Sequence, residues 1–480
     1  MQLGFRISVL FVNLAWLSGM TEQANAQTFT VLHNCGYAPD LSAPRGALIL
    51  SDNTLYGTAV AGGTDRVGAV FKVQTDGSGL TVLHNCLSLG NDGANPWAGV
   101  ILSSNALFGT ANTGGAHGWG SVFSVNTDGT GYAVLHAFSS PGGFPLHTNS
   151  DGVLPYGGLV LYSNTLYGTT GQGGEPGMGT VFSLNVDGTG FTNLHQFASY
   201  AYNSQLVTYT NSDGSLPYAG LTLAGGKLYG TCYQYGNLGI GTVFAINIDG
   251  TGFTNLHNFK GASEGANPRA GLILSGDSLY GTTVNGGSSG NGTVFTLNTD
   301  GSGFRTIHSF VAASGEGRKP YAGLLLSGNT LYGTTSAGGS SDSGTVFSLH
   351  TDGTGFTTLY SFTSTANSHQ INTDGGTPWG PLILSGNTLY GTTEVGGSSG
   401  LGTIFSLTLS VGPPQLQIEP SGENVILSWP TNATGMSLQS TTNLTSPAWT
   451  PVSAAPVVIN DQNTVTNPVL GNQQFYRLGQ

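Results

Sequence analysis

"TFTVLHNC" (28–35) is the first of seven related segments. The others are "GLTVLHNC" (79–86), "GYAVLHAF" (131–138), "GFTNLHQF" (190–197), "GFTNLHNF" (252–259), "GFRTIHSF" (303–310) and "GFTTLYSF" (355–362). Each of the six later copies ends a repeat, whereas the first stands ahead of any repeat it could end. The reading of this displaced tail decides the architecture.

The repeats are regular around it. "LYGT" or "LFGT" begins at Leu55, Leu107, Leu166, Leu228, Leu279, Leu331 and Leu389. An opening Pro (Pro44, Pro96, Pro155, Pro217, Pro268, Pro320, Pro378) always lies 11 residues before that Leu, and a Gly always 13 after it. From that Gly to the Asp of a "DG[TS]G" turn is always 8 residues, and 8 more reach the tail His or Tyr. Each unit thus holds four short runs of β-branched and aromatic residues, such as "GLLLS", "TLYGTT", "GTVFSLH" and "FTTLYSF" in the sixth. Such runs favour half-buried strands. The pairs are joined by "GN" and "TDGTG", which are hairpin and turn signals. A period of 51–62 residues with four strands per unit predicts an all-β fold, a seven-bladed β-propeller. The seventh unit ends at "GTIFSLTLS" (402–410) with no tail after it. Strand 28–35 is therefore expected to pair with the last blade and close the ring, removing two exposed sheet edges.

The unit "LYGTT..GG..G.GTVFSLNTDGTGFT.LHSF" resembles the GloVer-type tandem repeat of exported bacterial "choice-of-anchor" proteins, over about residues 28–410. The resemblance implies an exported, surface-associated propeller and brings no catalytic residues with it. No hydrophobic tail with a basic stop follows, so the sequence does not name the mode of attachment.

The flanks and composition fit export. Residues 1–26 read as a signal peptide, with Arg6, an apolar stretch from Ile7 to Met20 and the cleavage pattern Ala24-Asn25-Ala26. No later stretch has the length of a transmembrane helix. Charged residues are 7% of the chain, against about 25% in ordinary globular proteins. A net charge of −12 argues against nucleic acid and offers no basic cluster to anionic lipid. Cys35, Cys86 and Cys232 make no disulfide framework. The first two occupy equivalent tail positions and are expected to be buried and unbridged.

The expected domains are the propeller (27–411), a linker (412–415, within "VGPPQ") and a small β-sandwich of fibronectin-like type (416–480). Strands of the last are read at 424–430, 436–442, 448–453, 456–460 and 474–478, with Trp429 and Trp449 in its core. Its L-x-W-P, L-Q-x-T-x-N-L and terminal FYRL pattern resembles C-terminal modules of exported bacterial proteins.

Length varies only between tail and Pro, from 11 residues (His33 to Pro44) to 22 (His195 to Pro217). Insertions on one face of a repeat fold point to a binding face. The residue after each Pro is Arg45, Trp97, Tyr156, Tyr218, Arg269, Tyr321 or Trp379, where the innermost strand would begin. Four residues before each Pro stands an acid: Asp40, Asp92, Asp151, Asp213, Glu264, Glu316 or Asp374. Aromatic faces with carboxylates and guanidinium groups suit sugar rings, so the first set are candidate ligand residues and the second supporting acids. Blade packing and loop capping are the competing explanations, and seven-fold recurrence favours them. The tail histidines (His33, His84, His136, His195, His257, His308) fall one per blade, which predicts structural hydrogen bonds and no metal site.

An enzyme needs one asymmetric constellation. The departures from the repeat are Asp65-Arg66, His117, Glu175, "CYQY" (232–235), Asp342 and Glu394. Glu175 and Glu394 could serve as acid and base for glycoside cleavage, but they belong to the third and seventh units. The sequence carries no nucleophile elbow, zinc-hydrolase motif or phosphate loop, and no cofactor is implied. The expected function is an exported, monomeric binding or surface-display module, meeting an extracellular glycan or envelope component. A polysaccharide hydrolase or lyase and a purely structural envelope protein are the alternatives.

Overall fold

In a computed structural model the described residues are 27–88, 90–143, 148–311, 315–365, 370–410, 416–421, 424–430, 436–445, 448–459, 462–468 and 474–479. The signal-peptide reading of 1–26 and the linker 412–415 lie outside them. All regular elements among the described residues are strands. They fall into two compact units, Thr28–Leu409 and one holding Ser410–Gln480.

The larger unit is built from four-stranded antiparallel sheets. In the first, Ile49–Ser51, Thr54–Ala59, Ala69–Gln74 and Thr81–Asn85 pair in chain order. Five more sheets repeat this arrangement. The displaced tail takes the fourth-strand place in another: Thr28–Asn34 lies beside Thr403–Thr408, with Phe29 opposite Leu407.

Local chemistry explains the repeated motif. The Leu of LYGT is fully buried in every repeat. The Gly after it faces a buried Phe across the sheet, as Gly230 faces Phe244. A methyl on Gly230 would stand 2.4 Å from the Phe244 ring edge and 2.9 Å from Leu221. Phe therefore fills the space that glycine leaves empty. The Thr of LYGT reaches out of its own sheet: Thr58 Oγ1 donates to the Ala98 carbonyl at 2.8 Å, and Thr231 Oγ1 to that of Ala270 at 3.0 Å. These bonds join each repeat to the next.

Other contacts join the last repeat to the first, where Thr392 Oγ1, the counterpart of Thr58, has no partner among the described residues. The Ala43 N–H donates to the Leu401 carbonyl at 2.8 Å, Gly402 packs on Pro44, and Glu394 pairs with Arg45. All three cysteines are free and buried, as expected.

The smaller unit has a four-stranded and a three-stranded sheet. They share a core of Leu427, Trp429 and Val465 from one and Leu438 from the other. Two of its strands, Gln417–Ser421 and Gln462–Pro468, were not expected from the sequence. Trp429 is core, but Trp449 is only half-buried, with the Arg477 guanidinium 4.4 Å above its ring. No helix among the described residues is long and apolar enough to cross a membrane.

Candidate functional site

Each opening Pro stands a few residues ahead of the first strand of its sheet, as Pro44 stands ahead of Ile49–Ser51. Arg45, Trp97, Tyr156, Tyr218, Arg269, Tyr321 and Trp379 line one cavity of about 90 Å³. They pack on one another. Tyr321 stacks on Trp379 at 4.1 Å, while Trp97 meets Tyr156 edge-on at 5.3 Å and Trp379 at 6.3 Å. The Arg45 guanidinium lies 4.0 Å from the Trp97 centroid, and that of Arg269 lies 5.1 Å from Tyr218 and Trp379. Burial pushes the Tyr218 hydroxyl up to about 12, so it stays protonated at neutral pH. Pockets for small organic ligands usually run from about 300 Å³. The aromatic faces expected to receive a sugar are in use here by their neighbours.

A second layer carries the asymmetry, five residues after the Leu of LYGT: Val60, Asn112, Gly171, Tyr233, Val284, Ser336 and Glu394. Gly171 makes room where a methyl would stand 2.9 Å from both Tyr156 and Tyr218. Tyr233 packs against Tyr218 at 5.6 Å, and Glu394 is tied to Arg45. The sequence signal for this layer was one constant offset with a changing residue.

The seven acids are not among the residues that line the cavity. Each is partnered by the tail that precedes it instead. His33 Nε2 lies 3.0 Å from Asp40, His84 2.9 Å from Asp92, His136 3.1 Å from Asp151, and His195 2.8 Å from Asp213. His257 bonds Glu264 and His308 bonds Glu316, each at 3.1 Å, and in the seventh pair the Tyr360 hydroxyl donates to Asp374 at 2.7 Å. A carboxylate withdrawn from water needs such donors. Burial raises the Asp92 carboxyl, but the bonds from His84, Tyr132 and the Leu87 N–H outweigh it and hold the group below its ordinary range. Among the described residues no group of three His, Cys, Asp or Glu is placed to hold a metal.

The tail-to-Pro segments pair with the GG loops, in the inserted repeats through Val153 with Gln172, Ser215 with Gln234 and Gly376 with Val395, and in the short ones likewise. Leu41 pairs with Gly62, Gly93 with Gly114, and Gly317 with Gly338. The longest insertion folds into a hairpin, Ala201–Asn203 with Thr208–Thr210. Its Tyr200 meets Tyr209 at 5.2 Å and Tyr235 of the "CYQY" stretch at 4.7 Å, and Tyr202 meets Tyr209 at 5.4 Å. Tyr202 is 57% exposed and Tyr209 48%. Of the paired departures, Arg318 holds Asp342 through two bonds of 2.8–2.9 Å. The Glu175 N–H donates to Gln196 at 2.6 Å.

The fold and these loops define an all-β tandem-repeat protein with a propeller-like core. The chain belongs to the Gloeobacter/Verrucomicrobia repeat family, whose model matches residues 19–205 and 199–371. No curated protein matches it. Among solved structures it is similar to an oligogalacturonate lyase from Vibrio parahaemolyticus (10% identity, 80% of this chain and 97% of that one, TM-score 0.47). It is also similar to an oligogalacturonate lyase in complex with manganese (12%, 80% and 96%, 0.48) and to TolB from Acinetobacter baumannii (10%, 60% and 58%, 0.34). These are likenesses of fold and carry nothing about activity.

Proposed function

We propose that residues 28–409 are a seven-bladed β-propeller closed by its N-terminal strand, and that 416–480 is a small β-sandwich behind the 412–415 linker. In this reading the protein is exported and acts as a monomeric binding or surface-display module for an extracellular glycan. The pairing of Thr28–Asn34 with the last sheet and the contacts from Leu401, Gly402 and Glu394 back to the first repeat support closure.

One observation carries the glycan. The tyrosine cluster of the 201–210 hairpin occurs in a single repeat, on the loop-bearing face, with two rings about half open to solvent. Packing roles recur in every repeat, whereas a ligand site needs one copy. Tyrosine suits it, because its face stacks on the C–H side of a sugar while its hydroxyl bonds the rim. A hydrolase or lyase reading has less support, because Glu394 is held by Arg45 and is no free acid or base.

A glycan-array screen of residues 27–480 beside a Tyr202→Ala/Tyr209→Ala variant tests this. Binding that the variant loses with its circular dichroism unchanged supports the patch. No binding by the intact protein would move the reading to a structural envelope protein, for which the self-packed ring already speaks.

A further inference from the structure

The central ring is too tight for a sugar but is not electrostatically complete. Its two guanidinium groups face one carboxylate, Glu394, which pairs with Arg45. Arg269 makes no ion pair among the described residues; aromatic rings surround it, with Tyr218, Tyr233, Tyr321 and Trp379 centroids 5.1–5.9 Å away. Two positive charges less one negative leave one positive charge without a carboxylate partner among the described residues.

The donors are incomplete too. Cation–π contact uses the flat face of a guanidinium and leaves its N–H edge to find acceptors. Among the described residues the buried Arg45 Nε–H has no acceptor, and neither does the Trp379 Nε1–H. Trp379 lies beside both guanidiniums, 5.0 Å from Arg45 and 5.1 Å from Arg269. Leaving a buried donor unpaired costs about 1–3 kcal/mol, so the two on residues that line one cavity call for an acceptor.

We propose that the central cavity binds one small oxyanion, the chemistry shared by free sulfate or acetate and by the carboxylate or sulfate group of an acidic polymer. Arg269 supplies the charge, and the Arg45 Nε–H and Trp379 Nε1–H supply directed bonds. The volume of about 90 Å³ suits one such group. The phenol rings of Tyr156, Tyr218 and Tyr321 line the same cavity. An anion also explains why two arginines replace aromatics in a ring that otherwise packs by itself. This site is separate from the hairpin tyrosines, so failure at one leaves the other standing.

The test is a titration of tryptophan fluorescence in residues 27–480 with sodium sulfate and with sodium acetate, ionic strength being held constant with sodium chloride. A second arm uses a carboxylated polysaccharide and its carboxyl-reduced, neutral counterpart. The expected result is a saturable response that Arg269→Gln weakens by about tenfold or more and Arg269→Lys partly restores. Trp379→Phe, which keeps the stacked ring and loses the N–H, also weakens it and serves if Arg269→Gln does not fold. A response to the free anions assigns the site to a small solute; a response to the charged polymer alone assigns it to a polymer-borne group. No saturable response in either arm, or equal affinity in wild type and variants, overturns the proposal.

Discussion

The ring of Tyr360 lies flat on that of Phe29, with centroids 4.1 Å apart and planes 10° from parallel. Its counterparts recur along the chain: His84 on Tyr132 at 3.5 Å, His195 on Phe253 at 3.8 Å, and His308 on Phe356 at 4.0 Å. Each stacks one tail's His on the aromatic that opens the next tail. The Tyr360 pair carries this chain of contacts onto the N-terminal strand, 331 residues back, where Phe29 also packs against Phe362 and Phe405.

Phe29→Ala should therefore loosen the whole larger unit and not merely fray its end. The ring is half-buried, so the expected cost is about 2–3 kcal/mol, below the ~3–5 kcal/mol of a fully buried Phe. Urea unfolding followed by fluorescence measures it. A midpoint equal to wild type would mean that the 28–34 strand contributes nothing to the fold.

The tail pairs make stability depend on pH. Burial holds His257 and His308 below the ordinary histidine value of 6.5, despite the carboxylates of Glu264 and Glu316 beside them. The folded state thus prefers neutral imidazole, and as pH falls through 6.5 the unfolded chain takes up protons first. Their stabilisation is full above that pH and is lost below it. The carboxyls of Asp92 and Asp151, held below 3.8, add a second loss at lower pH. The melting temperature should be flat from about pH 8 to about pH 6.5 and then fall, less steeply in His257→Gln/His308→Gln. Stability that rises between about pH 7 and pH 5 would contradict this assignment.

Much of the framework could be read from spacing, because a strand, a hairpin and a cross-sheet Phe each impose a fixed distance along the chain. The tail at 28–35 was assigned a partner by elimination, and register now pairs Thr28 with Thr408. The acids were harder to place. Their offset from Pro is constant, but their His partners lie 7 to 18 residues away across an insertion of variable length. Spacing alone could not choose between tail and central opening. The second layer that sets the ring's charge was hidden for the opposite reason: Asn112, Gly171, Tyr233 and Glu394 share a position but no chemistry. Gln417–Ser421 escaped because Pro420 cuts short the alternation of Leu416, Gln417, Ile418 and Glu419, and its side chains are all exposed.

The glycine–phenylalanine pair inside each sheet allows a test of packing that does not depend on function. Gly230→Ala places a methyl 2.4 Å from the Phe244 ring edge, in a site where Phe244 is fully buried and cannot retreat. Overpacking of this kind costs about 1–3 kcal/mol. Phe244→Leu alone should also destabilise, by leaving a void. Together the two changes oppose each other, since the shorter side chain vacates the space the methyl needs. The double variant should then be more stable than the sum of the single losses by about 0.5–3 kcal/mol, the range for residues in contact. Urea midpoints of the four proteins give the coupling. Strict additivity would show that Gly230 is kept for some reason other than the ring across from it.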